Sequence, residues 1–265
     1  MDLAINGHLA LITGSTSGHG KALAKILLEE GARVVVNSFS DEELDQVRDE
    51  MSALGEVFFI RADVTKNDEV THMMDEIYKI GELDILVNNV GYWRDDDFWD
   101  ITDELWDRMF QLNFYGTVRT MRYALPKMLK RNYGRIVNVA SEIAFKPSGA
   151  QAHYSVCKTA VVSLTRAAAQ TCRGKDVNVR INSVLPGGML TPTEINWHKE
   201  VVAQKGVDYD EYVDNFIVTA EPTTLVQRYL QPEEVARVVA FYLSPLTTPT
   251  MGTAIIADGG MIHHI

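Results

Sequence analysis

Tyr154 and Lys158 stand four residues apart within Ala152–Cys172, a stretch whose apolar residues recur at helical spacing, so both side chains fall on one helix face. A phenol with a pKa of about 10 is a poor base at neutral pH. A neighbouring ammonium favours the phenolate and lowers that pKa, and such a pair can move a proton to or from a substrate. Taken alone, Tyr-x-x-x-Lys is more often the surface of an amphipathic helix. A second cluster is Thr13-Gly14-Ser15-Thr16-Ser17-Gly18-His19-Gly20. Glycines there let backbone turn sharply and approach a pyrophosphate, and a following helix N-terminus offers free N–H groups. Elsewhere such a cluster is only a turn. Between a strand and a helix it points to a nucleotide cofactor. By themselves, Ser141 is a cap or turn residue and Asn113 a buried amide satisfied by backbone. Asp95-Asp96-Asp97 lacks a His or second acid at ligand spacing, so it reads as a solvated loop and no metal is expected.

The elements that must position these residues alternate along the chain. Strands are expected at His8–Thr13, Arg33–Asn37, Val57–Arg61, Leu83–Asn88, Arg135–Ala140, Val179–Val184 and Ala254–Ala257. Helices are expected at Gly20–Glu30, Asp41–Leu54, Asn67–Ile80, from about Asp103, at Ala152–Cys172 and at Pro232–Leu243. Strands apolar on both faces and separated by helices imply a parallel sheet covered on both sides. The expected fold is α/β: a doubly wound, Rossmann-like three-layer sandwich with a seven-stranded parallel sheet, one domain over 1–265. Gly187–Gln231 has weak periodicity, five aromatics, Pro192 and Pro222, and reads as an irregular flap over the substrate that closes on binding. Ligands of such sheets bind beyond the carboxyl ends of strands, where Asn88, Ser141 and Pro186 fall.

The glycine spacing is TGxxxGxG, and with it the chain resembles the compact branch of the short-chain dehydrogenase/reductase family. The matches run through nearly the whole chain: Asp63-Val64, Asn88-Asn89-Val90-Gly91, the order Asn113, Ser141, Tyr154, Lys158, then Pro186-Gly187 with Thr191, and Asp258-Gly259-Gly260. The resemblance implies hydride transfer between a nicotinamide and a secondary alcohol or ketone. Tyr154 then serves as acid and base and Lys158 bonds the nicotinamide ribose. Ser141 holds the substrate oxygen, and Asn113 positions a water linking Lys158 to solvent. It implies a cofactor site of Gly14, Ser15, Ser17, Gly18, His19, Gly20, Asp63, Val64, Asn89, Gly91, Tyr154, Lys158, Pro186, Gly187 and Thr191. It also implies a homotetramer built on the helices around Asp103–Met128 and Ala152–Cys172 and on the C-terminal segment. His19 stands where the family has an aliphatic residue and reads as a tolerated loop residue.

The end of the second strand, Asn37-Ser38-Phe39-Ser40, carries neither an acid for a ribose 2′-OH nor a cation for a 2′-phosphate. NAD and NADP both stay open. Asp41, Glu42 and Glu43 would disfavour a phosphate, which leans the reading to NAD with Ser38 as the ribose contact. Substrate walls are expected from Trp93, Glu142, Ile143, Phe145, Met189 and Trp197, with Tyr92, Tyr209, Tyr212 and Phe216 nearby. Arg94 or Glu142 could hold a polar end of an apolar or ring-containing substrate. His153 reads as pocket wall or surface, and His263 and His264 as tail residues or contacts to a neighbouring subunit.

The charge balance, 25 Lys+Arg against 36 Asp+Glu for a net −11, argues against nucleic acid or an anionic membrane as partner. Cys157 and Cys172 would lie roughly 22 Å apart on one helix, far beyond the roughly 7 Å reach of a disulfide. Free thiols, together with an N-terminus lacking a basic leader or long apolar run, lead to the expectation of a cytoplasmic protein without signal peptide. Two other classes stay in view: a catalytically silent nucleotide-binding regulatory or scaffold protein on the same fold, and a cofactor-retaining epimerase or dehydratase. The complete Asn-Ser-Tyr-Lys set weighs against the first, and the lack of a large C-terminal nucleotide-sugar region against the second.

Overall fold

A computed structural model describes residues 2–174 and 176–263; His264 lies outside them. The β-branched runs become seven strands: β1 Leu9–Ile12, β2 Arg33–Ser38, β3 Val57–Arg61, β4 Leu83–Asn88, β5 Gly134–Val139, β6 Val179–Pro186 and β7 Ala254–Ala257. All pair in parallel in the order β3-β2-β1-β4-β5-β6-β7. The chain winds outward from β1 to β3, returns to the centre, and winds outward again from β4. The crevice of such a sheet opens where that order reverses, at the carboxyl ends of β1 and β4.

Successive strand residues point to opposite faces, and the two faces bury two separate cores. Ala10, Ile12, Val34, Val36, Ile85 and Val87 pack against helices α1 (Gly18–Glu29), α2 (Asp41–Ser52) and α9 (Pro232–Leu243). Leu9, Leu11, Val35, Leu83 and Leu86 pack against α3 (Asn67–Ile80), α5 (Gly116–Arg131) and α6 (Ala152–Thr171). Burying each such aliphatic side chain contributes about 1.5–3 kcal/mol, so the sheet is a rigid platform for what stands on its ends. Helix α4 (Asp103–Phe110) runs into α5 through a π-turn over Gln111–Tyr115 that holds Asn113. Cys157 and Cys172 are free and buried.

Two boundaries differ from expectation in ways that matter. Helix α1 begins at Gly18 rather than Gly20, which brings Gly18 and His19 into its first turn. The stretch 187–231, expected to be irregular, contains α7 (Pro192–Lys205) and α8 (Tyr209–Ala220). Thr191 caps α7 by accepting from Glu194 N–H, Pro192 takes the first helical position, and Gly206 ends it with φ +64°. Asp208 caps α8 in the same manner. The helical period is weak there because these helices bury little of their surface. Val213, Ile217, Tyr229 and Met261 form a small cluster of their own beside the main cores.

Candidate active site

The residues singled out by sequence converge on one cleft of about 840 Å³ over the carboxyl ends of the strands. At its floor the glycine loop passes into α1. A Cβ on Gly20 would meet Gly14 O at 2.3 Å and Asn89 Nδ2 at 2.5 Å, so only glycine fits. Asn89 locks this turn: its Nδ2 donates to Thr13 O and Gly14 O, both at 3.0 Å. With that amide so oriented, Asn89 Oδ1 accepts from His19 Nδ1 at 2.8 Å. His19 Nε2 is buried without a partner, and burial lowers the pKa of the ring. No side chain caps the N-terminus of α1. Its free N–H groups, beside backbone that a Cβ would obstruct, fit a pyrophosphate. Asp63, Val64, Gly91, Pro186, Gly187 and Thr191 line the same cleft, as do Ser17, Gly18, His19 and Ser38.

Ser15 does not line it. Its hydroxyl turns inward, donating to Ile12 O at 2.7 Å and accepting from Asn37 N–H at 3.0 Å, so it ties β1 to β2 beneath the loop. Ser38 lines the cleft, but its hydroxyl is given to Glu43 Oε2 at 2.5 Å, and Thr16 Oγ1 donates to the same oxygen at 3.0 Å. The acid absent from the end of β2 is thus brought to the cleft from the first turn of α2. Of the three acids that the sequence offered here, Asp41, Glu42 and Glu43, only Glu43 lines the cleft; Ser40 caps α2 by accepting from Glu43 N–H.

Ser141, Tyr154 and Lys158 face one another across the middle of the cleft. Ser141 follows β5 and caps a 3-10 turn over Glu142–Ala144. Tyr154 and Lys158 stand on α6, with Lys158 Nζ 5.6 Å from the Tyr154 ring centre. Lys158 Nζ donates to Val139 O at 2.9 Å, and burial pulls its pKa down to about 8. The expected lowering of the Tyr154 pKa is not found. Burial, and after it the Glu142 carboxyl, push the phenol up, against the pull of a Ser141 hydrogen bond. Tyr154 is thereby held as the neutral phenol. Asn113 sits behind this group rather than in the cleft. Its Oδ1 accepts from Tyr92 N–H at 2.9 Å, and its Nδ2 donates to Tyr92 O at 3.0 Å and Met109 O at 3.1 Å. A Cβ on Gly91 would stand 3.2 Å from Lys158 Nζ and 3.4 Å from Asn113 Oδ1, which puts both beside the fourth strand's end.

Beyond Tyr154 the cleft is walled by Tyr92, Trp93, Ile143, Met189, Trp197 and Phe216, with Glu142 among them. Phe145 is 37% exposed and off the cleft, because the 3-10 turn carries it outward. Tyr209 and Tyr212 pack in the small cluster with Val213 and Ile217 instead. Arg94 pairs with Asp96, and His153 is buried with its Nε2 on the same carboxylate. Among the described residues no group of acids, histidines or cysteines could hold a metal. Four charged wall residues were not foreseen. Lys146 pairs with Glu221 across the mouth of the cleft. Glu194 accepts from Tyr229 Oη at 3.0 Å, and Tyr229 in turn meets His198 Nε2 at 2.8 Å. Burial raises the Glu194 pKa and lowers that of His198. Asp95 completes the set of cleft acids. Glu194 lies three residues past Thr191, in the first turn of α7, within the stretch that the sequence pattern reads as irregular.

Residues 8–201 match the family model described as short chain dehydrogenase. The chain is 43% identical to the uncharacterized oxidoreductase YvrD of Bacillus subtilis, with all of both chains covered. It is 32% identical to D-beta-hydroxybutyrate dehydrogenase of Rhizobium meliloti, over 95% of this chain and 97% of that one. Among solved structures, L-sorbose reductase from Gluconobacter frateurii complexed with NADPH and L-sorbose superposes with a TM-score of 0.94 at 31% identity, covering 100% of both chains. Relatives with assigned activities are dehydrogenases and reductases, which gives no support to a silent scaffold. The chain belongs to the short-chain dehydrogenase/reductase family and is an NAD(P)-dependent oxidoreductase acting between CH–OH and C=O groups.

Proposed function

We propose that the protein interconverts a secondary alcohol and a ketone with Tyr154 as the proton-transfer residue, Ser141 as the group that holds the substrate oxygen, and Lys158 as the ribose and charge partner. The observation that carries this is the convergence of Ser141, Tyr154 and Lys158 on the cleft that begins at the glycine loop. The bound nicotinamide supplies the hydride in reduction and takes it in oxidation. In reduction Ser141 orients the carbonyl, and Tyr154 gives its Oη proton to the oxygen as the carbonyl carbon is reduced. In oxidation Oη recovers that proton. Asn113 acts from behind by fixing the Tyr92 backbone, and so the strand end against which Lys158 packs. The remaining residues of the cofactor pattern, Ser15 excepted, bind the dinucleotide as the family resemblance implies.

The cofactor we infer is NAD. A carboxylate at the adenosine end accepts from a ribose 2′-OH and repels a 2′-phosphate. Glu43 supplies that carboxylate, and Ser38 and Thr16 hold it in place, so Ser38 positions the ribose acid rather than bonding the ribose itself. Among the described cleft residues the cations are Lys146 and Lys158, which stand by Glu221 and Val139, away from Glu43. The substrate end combines Trp93 and Trp197 with the carboxyls of Glu142 and Glu194, which suits a ring-containing or apolar ketone that also carries a hydroxyl. Helices α7 and α8 form the flap, and the Lys146–Glu221 pair is its latch. We further infer a homotetramer and a cytoplasmic location; exposed Val156 on α6 and the buried free thiols support these. Among the described residues no helix is long and apolar enough to cross a membrane.

Nicotinamide fluorescence titration with NADH and NADPH tests the cofactor. Wild type should prefer NADH, and Glu43→Gln should narrow the gap by about tenfold, the scale of one charged hydrogen bond. A wild-type preference for NADPH would sink the Glu43 argument. Turnover is then read with L-sorbose, acetoacetate and cyclohexanone beside Ser141→Ala and Tyr154→Phe.

A further inference from the structure

Ser141 has one hydrogen and two claims on it. Its Oγ lies 2.5 Å from Glu142 Oε2 and is also hydrogen-bonded to Tyr154, while it accepts from Ile143 N–H at 3.4 Å. A hydroxyl donates one hydrogen bond, and an ionised carboxylate only accepts. With Glu142 ionised, the Ser141 hydrogen goes to it, and Oγ can offer a substrate only a lone pair. With Glu142 protonated, the carboxyl donates to Oγ and the Ser141 hydrogen turns into the cleft.

We propose that Glu142 is a positioning residue that sets the direction of the Ser141 hydroxyl, freeing its hydrogen for the substrate oxygen in one proton state and taking that hydrogen in the other. The inference rests on the reading of Ser141 as the holder of the substrate oxygen. The carboxyl is placed for the task, lining the cleft beside Ser141 and close enough to Tyr154 to act on its charge. Burial raises its pKa, although the Ser141 bond, local backbone N–H groups and Lys146 pull it back. The other ionisable groups lining this cleft are Tyr154 and Lys158 on α6, Lys146 in the same loop, Asp95 after β4, Glu194 on α7 and Glu221 just past α8, with His19, Glu43, Asp63, Tyr92 and Tyr229 elsewhere along it. Lys146 is itself neutralised by Glu221.

Both consequences of the switch run the same way. Ionised Glu142 takes the Ser141 hydrogen away from the substrate oxygen and makes Tyr154 a weaker acid, which disfavours reduction. Neutral Glu142 makes Ser141 a donor and Tyr154 a stronger acid, which suits reduction. The proton on Glu142 is held throughout and not consumed, while the proton that reduction takes up comes from Tyr154.

Infrared difference titration of the carboxyl C=O stretch tests this on the full chain without added ligand. Wild type should keep a protonated-carboxyl band above the ordinary carboxyl range, and Glu142→Gln should lack it. Glu142→Asp should restore a band, which separates loss of the group from misfolding. Ser141→Ala should move the midpoint upward by about half a unit, roughly threefold in proton affinity, because the carboxylate loses a donor. A wild type without the band, or a midpoint that Ser141→Ala leaves in place, overturns the inference. Full turnover of L-sorbose, acetoacetate or cyclohexanone by Ser141→Ala would instead remove the assigned role of Ser141 and leave the titration standing, so the two failures are distinct.

Discussion

Lys158 is buried as a cation on the floor of the cleft, and that location sets its behaviour. Its pKa is about 8 in the folded protein, below the value of about 10.4 for a free lysine. Between those values the unfolded chain binds more protons than the folded one, so this group makes stability rise with pH from about 8 to about 10.4. Below that window the buried ammonium is a net cost. Lys158→Met should therefore raise Tm by a few degrees at neutral pH while abolishing turnover. Thermal melts of both proteins at neutral pH and at about pH 10 would check it: the gap in Tm should shrink at the higher pH, and a variant that melts below wild type at neutral pH would contradict it. The Tyr-Lys pair was legible in the sequence, but the direction of the Tyr154 pKa was not. It depends on burial and on Glu142, whose approach is fixed by a 3-10 turn that spacing does not reveal.

Among the elements, the glycine turn into α1 has the least freedom. Gly20→Ala would press a methyl against Gly14 O and the Asn89 amide, which also holds Thr13 O. A methyl 2.3 Å from a backbone oxygen forces that backbone to move, so NADH affinity should fall at least tenfold by fluorescence titration, with Tm lowered by a few degrees. Unchanged affinity would mean that the loop does not bear the pyrophosphate. The flap makes a different claim. Glu221→Lys places like charges across the mouth of the cleft beside Lys146. Proteolysis of 187–231 in the presence of NADH should then be faster than in wild type, and equal rates would remove the latch. The strands and most helices were legible because period and punctuation agree there. Helices α7 and α8 were not, although Thr191-Pro192, Gly206 and Asp208 carry capping signals, because a thin apolar stripe over a small separate cluster gives little periodicity.

On the scale of the molecule, the proposed tetramer would use the outer surfaces of α4, α5 and α6, which the two cores on the faces of the sheet leave unused. Tyr115 at the π-turn and Val156 on α6 are apolar and exposed, with Val156 at 46%. Phe241 on α9 and Ile256 on β7 are exposed at the other end. Sedimentation at micromolar concentration should give a species of about four times the 29.7 kDa chain. Val156→Glu should drive it to smaller species, since a charge buried at an interface without a partner costs several kcal/mol. A wild-type monomer would contradict this. The parallel sheet and its order of elements could be read from the alternation of apolar strands and helices. The register that brings Glu43, Glu142 and Glu194 into one cleft could not, because it depends on how each connecting turn aims the residue that follows it.

The most direct test of the account is nicotinamide absorbance during turnover of L-sorbose, acetoacetate and cyclohexanone, with wild type and Tyr154→Phe run side by side after NADH binding has been matched by fluorescence. Removing a positioned acid–base group should lower turnover about 10²–10⁴-fold with NADH affinity within a few-fold of wild type. Equal turnover by the two proteins would show that the proton travels another way and would contradict the role given to Tyr154.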